Sequence, residues 1–240
     1  NSEDTKIMIT VLKSLGVEID LIEDDIEDGI FDDSGNINIK VKGCDGFFPN
    51  LKKKHSICLN VGNSGLTIRT ILPALSISMF NSKANSTVIL NGIERMRERP
   101  ISELVDGLCF LGSDIKYLES SGFVPLQIKP SNFISKKEIK IKTNRSSQFL
   151  TGLLQISPLI NRINKKNFLI QADCEIISRP YVDLTINVLK NFGVNIIENV
   201  KNTFEVKEDS LIPPNKFLVE GDASSASYFL ASGVLGGGPV

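Results

Sequence analysis

The chain has no tryptophan, a single histidine (His55) and no cysteine pair at Cys-x-x-Cys spacing. One histidine leaves little room for a His-based triad or a His-rich metal site. The four cysteines, Cys44, Cys58, Cys109 and Cys174, are scattered and read as reduced thiols of a cytoplasmic protein. A positive surplus is missing too: 27 Lys and Arg face 28 Asp and Glu, a formal net charge of -1. Nucleic-acid binders usually leave a basic excess, so no nucleic acid is expected as a partner. The same balance argues against a polybasic membrane anchor. No apolar run approaches the ~18 residues that span a bilayer, and no signal peptide is expected. What is present is ordinary for a globular protein. Of 240 residues 41% are apolar and 23% charged, enough for a sizeable core in one large domain or two small ones. The sequence starts at Asn1 and stops at Gly-Gly-Gly-Pro-Val inside a predicted element, so a fragment of a longer chain is expected.

Ile7, Met8, Val11, Leu12 and Leu15 recur at helical spacing and predict a helix over 4–15, capped by Ser2 or Asp4 and ended by Gly16. Nine carboxylates crowd residues 18–33. They lack EF-hand spacing, so a solvated strand-and-turn face is expected rather than a calcium site. Residues 36–41 alternate and predict a strand. Further helices are predicted over 64–79, over 100–111 (opened by Pro100), over 147–160 and 180–192, and from Ala223 onward. Strands are predicted over 87–90, 114–118, 126–129, 138–142, 167–171, 194–198, 203–206 and 216–219.

This order contains a repeat. Leu15-Gly16-Val17, Leu111-Gly112-Ser113 and Phe192-Gly193-Val194 each end a helix in glycine before an apolar strand. Arg99-Pro100 returns as Arg179-Pro180, each opening the same kind of helix. The unit reads strand, helix, strand, helix, strand, strand. Copies of it imply an α/β fold, a pseudo-threefold repeat of βαβαββ units with helices inside and sheets outside.

The candidate chemistry sits at helix starts. Gly62-Asn63-Ser64-Gly65 precedes one helix, where glycines admit a ligand to the backbone and unpaired amides carry positive dipole. A flexible cap is the plain alternative. Residues 92–100 hold Arg95, Arg97 and Arg99, which project to one side if the chain is extended. Glu94 and Glu98 leave surface ion pairs equally open. Arg145-Ser146-Ser147-Gln148 opens another helix with more hydroxyls than one cap uses. Ser178-Arg179-Pro180-Tyr181 opens the next, with Ser178 and Tyr181 able to reach the side of Ser147. Helices of a repeat point the same way, so their positive ends converge on an anion site in a chain without net positive charge.

Together, Asn63-Ser64-Gly65, Arg95–Pro100, Ser146–Leu150, Ser178–Tyr181 and Glu220–Tyr228, with Ser2–Thr5 near the start, occur in an order that resembles the EPSP synthase family of enolpyruvyl transferases. The resemblance covers essentially the whole chain. It implies a two-lobed enzyme, each lobe of three such units, that needs no metal or other cofactor. Residues 1–219 would be most of the shikimate-phosphate lobe without its first strand and helix, and residues 220–240 the start of the second lobe. The implied reaction moves the enolpyruvyl group of phosphoenolpyruvate to the 5-hydroxyl of shikimate-3-phosphate and releases phosphate, in a cytoplasmic, monomeric parent protein. By the same resemblance Ser146, Ser147, Gln148 and Ser178 bind shikimate-3-phosphate, and Tyr181 packs on its ring. Gly65, Arg95 and Gln148 meet phosphoenolpyruvate, while Asn63, Leu66 and Arg69 shape the pocket. Arg97 and Arg99 are left as supporting residues.

The family has threonine where Leu66 stands and proline where Thr70 stands, which implies weaker binding of glyphosate, the family's phosphoenolpyruvate mimic. The proton-transfer groups implied by the family fall outside these residues, so the chain alone is expected to be inactive. Two alternatives stay open: the related UDP-N-acetylglucosamine enolpyruvyl transferase and a non-catalytic anion-binding module. The related enzyme uses a loop cysteine. Cys109 falls on an apolar helix face and reads as core, leaving Cys174 as the only tempting counterpart. A lobe of a fused multi-enzyme polypeptide is a third.

Overall fold

Helix α1 (Glu3–Ser14) begins where Ser2 Oγ accepts the Thr5 N–H at 3.2 Å, which makes Ser2 rather than Asp4 the cap. The computed structural model that shows this describes residues 2–22, 38–81, 83–207 and 211–236. Strands β1 (Glu18–Ile22) and β2 (Asn38–Lys42) follow as an antiparallel pair. Glu18 and Asp20 of the acidic run lie on β1; its carboxylates from Glu23 to Asp33 lie outside the described residues, and so does the question of calcium there.

Next come α2 (Asn50–Lys53), β3 (Ser56–Asn60), α3 (Gly65–Met79), β4 (Thr87–Asn91), α4 (Glu94–Arg97), α5 (Ser102–Phe110), β5 (Asp114–Tyr117) and β6 (Leu126–Lys129). After them run β7 (Glu138–Ile141), α6 (Gln148–Asn164), β8 (Phe168–Ala172), α7 (Arg179–Asn191), β9 (Ile196–Val200), β10 (Thr203–Val206) and α8 (Ala223–Gly236). The two four-stranded sheets have the same plan, β3-β4-β6-β5 and β7-β8-β10-β9. In each, the first two strands are parallel and the other pairings antiparallel. The repeat is therefore physical: two βαβαββ units stand complete, and α1-β1-β2 supplies the last three elements of the same pattern.

The glycines that mark the repeat explain its regularity. Gly16, Gly112 and Gly193 have φ of 93°, 103° and 82°, a left-handed conformation that favours glycine. Each donates to the residue three back, and the next residue's N–H reaches five back at 3.0 Å: Val17 to Leu12, Ser113 to Leu108, Val194 to Leu189. Three helices thus end in the same Schellman cap, which aims each chain into the following strand.

Helices α3 and α6 form the centre. α3 is apolar on nearly every side and buried along almost its whole length, as a helix without a polar face must be. It packs on α6 through Gly152, where any Cβ would overlap the Arg69 carbonyl. The strands alternate, with Ile57, Leu59, Val88, Leu90, Leu126 and Ile128 buried on the inner face. Helices lie inside and sheets outside, as the repeat implies.

Three expectations change. β3 was absent from the predicted elements although Ser56–Asn60 alternates exposed and buried positions. The third predicted helix starts at Ser102, with Pro100 and Ile101 in the approach to it. Residues 216–219 form no strand; Leu218 and Val219 are exposed there, with no neighbouring strand to complete a ladder among the described residues. None of the described helices is long and apolar enough to cross a membrane.

Candidate functional site: converging helix starts

At the start of α3 the chain turns tightly. Gly62 has φ 54° and donates to Asn60 Oδ1 at 2.8 Å. Ser64, fully buried, caps the helix: its Oγ accepts the Thr67 N–H at 3.1 Å and pairs with Thr67 Oγ1 at 2.7 Å. Gly65 follows, and the guanidinium of Arg99 lies directly over it, in the space a Cβ would fill. Arg99 Nη1 donates to the Asn63 carbonyl at 3.1 Å. Asn63, Arg95, Glu98, Arg99 and Pro100 enclose a cavity of about 490 Å³.

The three arginines of this segment do not share one side. Glu94–Arg97 is a helical turn rather than extended chain, so the side chains fan out. Arg95 ion-pairs with Glu98 at 3.0 Å in the open, and Arg97 reaches Asn91 at 3.2 Å and Glu119 at 3.1 Å. Arg99 pairs with no carboxylate among the described residues. Arg95 does line the 490 Å³ cavity, but Arg99 is the residue in contact with Gly65. Its signal in the sequence was the Arg-Pro step, which recurs at a fixed place in the repeat.

At the start of α6, Ser146 Oγ accepts the Gln148 N–H at 3.2 Å. Ser147 is buried yet makes no cap hydrogen bond, so its hydroxyl is not consumed by the helix. Ser178, at the start of α7, also makes no cap bond and is held at φ 56°. Tyr181 is exposed, its hydroxyl 3.2 Å from Ser224 Oγ. Ser146, Ser147, Gln148, Ser178, Tyr181 and Leu66 all line one cleft of about 740 Å³, larger than the cavity under Arg99. The starts of α3, α6 and α7 therefore converge as predicted.

Arg69 lies between the two spaces, bonded to Gln148 of one and to the Pro100 carbonyl of the other. It is 7% exposed, and its Nη1 donates to Gln148 Oε1 at 2.5 Å. Burial first, and the nearby charge of Arg99 second, push its pKa down to about 10, so it remains cationic at neutral pH. Arg99 in the smaller cavity, and the helix starts with spare serine hydroxyls in the cleft, supply donors suited to a phosphate or carboxylate. The described residues contain no group of three or more His, Cys, Asp or Glu that could hold a metal. Cys109 is exposed, which corrects its reading as a core residue, because its helix face meets solvent. Cys174 accepts the Thr143 N–H at 3.2 Å.

Fold and site define an α/β fold of repeated βαβαββ units in which residues from three helix starts line one cleft. The chain belongs to the EPSP synthase (3-phosphoshikimate 1-carboxyvinyltransferase) family, whose model matches residues 1–240. It is 40% identical over 238 residues to the 3-phosphoshikimate 1-carboxyvinyltransferase of Haemophilus influenzae (strain PittGG), covering 99% of this chain and 50% of that protein. The protein of the same name from Janthinobacterium sp. (strain Marseille) is 38% identical over 240 residues, covering 100% and 49%. The chain thus spans about half the length of the curated relatives it matches. Among solved structures, an EPSP synthase of Acinetobacter baumannii superposes with a TM-score of 0.61 at 18% identity, over 97% of this chain and 45% of that one, a likeness of fold.

Proposed function

We propose that this chain forms the shikimate-3-phosphate side of an enolpyruvyl transferase site, in a protein that transfers the enolpyruvyl group of phosphoenolpyruvate to shikimate-3-phosphate. The observation that carries this reading is the cleft in which the uncommitted hydroxyls of Ser147 and Ser178 meet Ser146, Gln148 and Tyr181. The relatives' name, 3-phosphoshikimate 1-carboxyvinyltransferase, supplies the substrate class.

In this reading the serines and helix amides hold the 3-phosphate, and Tyr181 lies along the ring. Phosphoenolpyruvate takes the neighbouring space lined by Asn63, Arg95 and Arg99, beside Gly65, with the guanidinium of Arg99 as a counter-charge and Gln148 facing both ligands. Arg95 lines the same space and meets phosphoenolpyruvate there beside Arg99, its exposed ion pair with Glu98 being weak. Leu66 stands at the cleft wall without a hydroxyl and weakens glyphosate. The reaction requires no metal or organic cofactor. Residues 220–240 belong to a second lobe, in line with α8, whose Tyr228, Phe229, Leu230, Val234 and Leu235 are all exposed. The groups that move protons lie outside these residues, so these 240 residues alone show no turnover. The parent works as a cytoplasmic monomer.

Calorimetry with shikimate-3-phosphate tests the site: the protein binds it, and Ser147→Ala weakens binding about tenfold or more. Phosphate release by the full natural protein is expected with shikimate-3-phosphate as acceptor. Release with UDP-N-acetylglucosamine instead, or tight anion binding with no release, would overturn the proposal.

A further inference from the structure

Arg69 is buried without an ion pair among the described residues, an arrangement that needs a reason. Its neighbours are Gln148 Oε1 at 2.5 Å, the Pro100 carbonyl at 3.4 Å and the ring of Phe149, 5.3 Å from Cζ. Its Nε is buried and unpartnered. Every polar group it meets is an acceptor, and a guanidinium can only donate.

We propose that Arg69 is a positioning residue, one that pins the Gln148 side-chain amide with its oxygen turned to the guanidinium, so that its two N–H donors serve the anions in the cleft. This rests on the reading of the cleft as the substrate site. A free glutamine side chain can present either edge. Here the flipped amide would set N–H groups against a cation, losing a charge-assisted bond and gaining repulsion. The edge left for the cleft carries donors only, which is what phosphate and carboxylate oxygens require. The order is built before any ligand arrives, because Arg69 belongs to the buried α3 and Gln148 opens α6, which packs against it. The guanidinium stays charged throughout the physiological range. Arg69 itself does not touch ligand in this scheme; it acts through Gln148.

Non-additivity is the decisive readout, measured as shikimate-3-phosphate affinity by calorimetry on the full natural protein. R69M and Q148A are each expected to bind about tenfold more weakly, and the double variant no more weakly than either alone. R69K keeps a donor for Gln148 Oε1 and is expected to recover most of the affinity, which a purely steric role for Arg69 would not produce. Losses that multiply in the double variant, or an R69M that binds like the unsubstituted protein, would overturn the proposal. If R69M does not fold, R69Q, uncharged and less apolar, takes its place in the cycle under the same additivity rule. An unsubstituted protein that fails to bind would sink the reading of the cleft and this proposal with it, whereas normal binding with an unchanged R69M sinks this proposal alone.

Discussion

Arg99-Pro100 and Arg179-Pro180 stand near the start of the second long helix in two copies of one fold unit, the first pair just before α5 and the second opening α7. Their side chains meet opposite fates. Arg179 donates to Asp183 at 2.8 Å and Glu198 at 2.6 Å and stacks over Phe204, 5.3 Å from the ring centroid. Arg99 finds only the Asn63 carbonyl and the open face of Gly65. The helix starts differ in the reverse sense. Ser64 spends its hydroxyl on its own helix, while Ser147 and Ser178 do not. A repeat thus supplies geometry twice, and the local partners decide whether a polar group holds the fold or waits for a ligand.

The comparison breaks most completely if the seam shared by the two units is opened. Phe149 is fully buried at that seam, under the Arg69 guanidinium. Phe149→Ala is expected to lower stability by about 3–5 kcal/mol in urea unfolding, with both units affected together. Separate transitions for the two units would contradict a common core.

Exchanging the roles of the two arginines comes next. Arg99→Ala is expected to leave stability nearly unchanged but to weaken phosphoenolpyruvate binding by about 1.5–3 kcal/mol, the range for a hydrogen bond to a charged group. Arg179→Ala is expected to do the opposite, lowering stability by about 0.5–1 kcal/mol with ligand affinity intact. Titrations and melting curves on both variants check this, and equal behaviour of the two would remove the distinction.

The serines sharpen it further. Ser64→Ala removes a buried cap and is expected to lower stability by about 1 kcal/mol. Ser147→Ala caps nothing and is expected to change stability by less than about 0.5 kcal/mol while lowering shikimate-3-phosphate affinity. A melting-temperature drop larger in Ser147→Ala than in Ser64→Ala would show that the assignment of cap and ligand group is reversed.

How far this contrast was legible in the sequence follows from the same residues. The repeat showed itself in Gly16, Gly112 and Gly193, because a left-handed cap leaves a composition signal wherever it occurs. The serine pair at α6 was legible because it exceeds what one cap needs. The division of labour among Arg95, Arg97 and Arg99 was not. It depends on one helical turn, Glu94–Arg97, that rotates each guanidinium to a different partner, and on Glu119, distant in sequence. Nor did spacing reveal the bond from Arg69 to Gln148, which exists only because α3 and α6 cross at Gly152. β3 was missed for a simpler reason: its five residues are short and half polar, and the parallel pairing to β4 that stabilises it is not local.

The smallest expected effect is a pH dependence confined to the second unit. Glu198 is held below the ordinary carboxylate range by the Arg179 guanidinium, helped by the Asn202 N–H at 2.7 Å. A carboxylate with a depressed pKa in the fold adds stability that is fully present above its unfolded value of about 4.5 and is lost as pH falls through the lower folded value. Glu198→Gln should therefore melt below the unsubstituted protein at pH 5–7, by about 0.5–1 kcal/mol, with the gap closing as the solution is acidified below about pH 4.5. In the first unit Glu119 pairs with Arg97 at 3.1 Å, but its side chain is 53% exposed against 27% for Glu198. Solvent screens that pair more strongly, so Glu119→Gln should give a smaller gap at neutral pH. Melting curves of both variants from pH 7 to 3 measure the difference; a larger gap for Glu119→Gln would mean that the second unit's arginine is not the one committed to the fold.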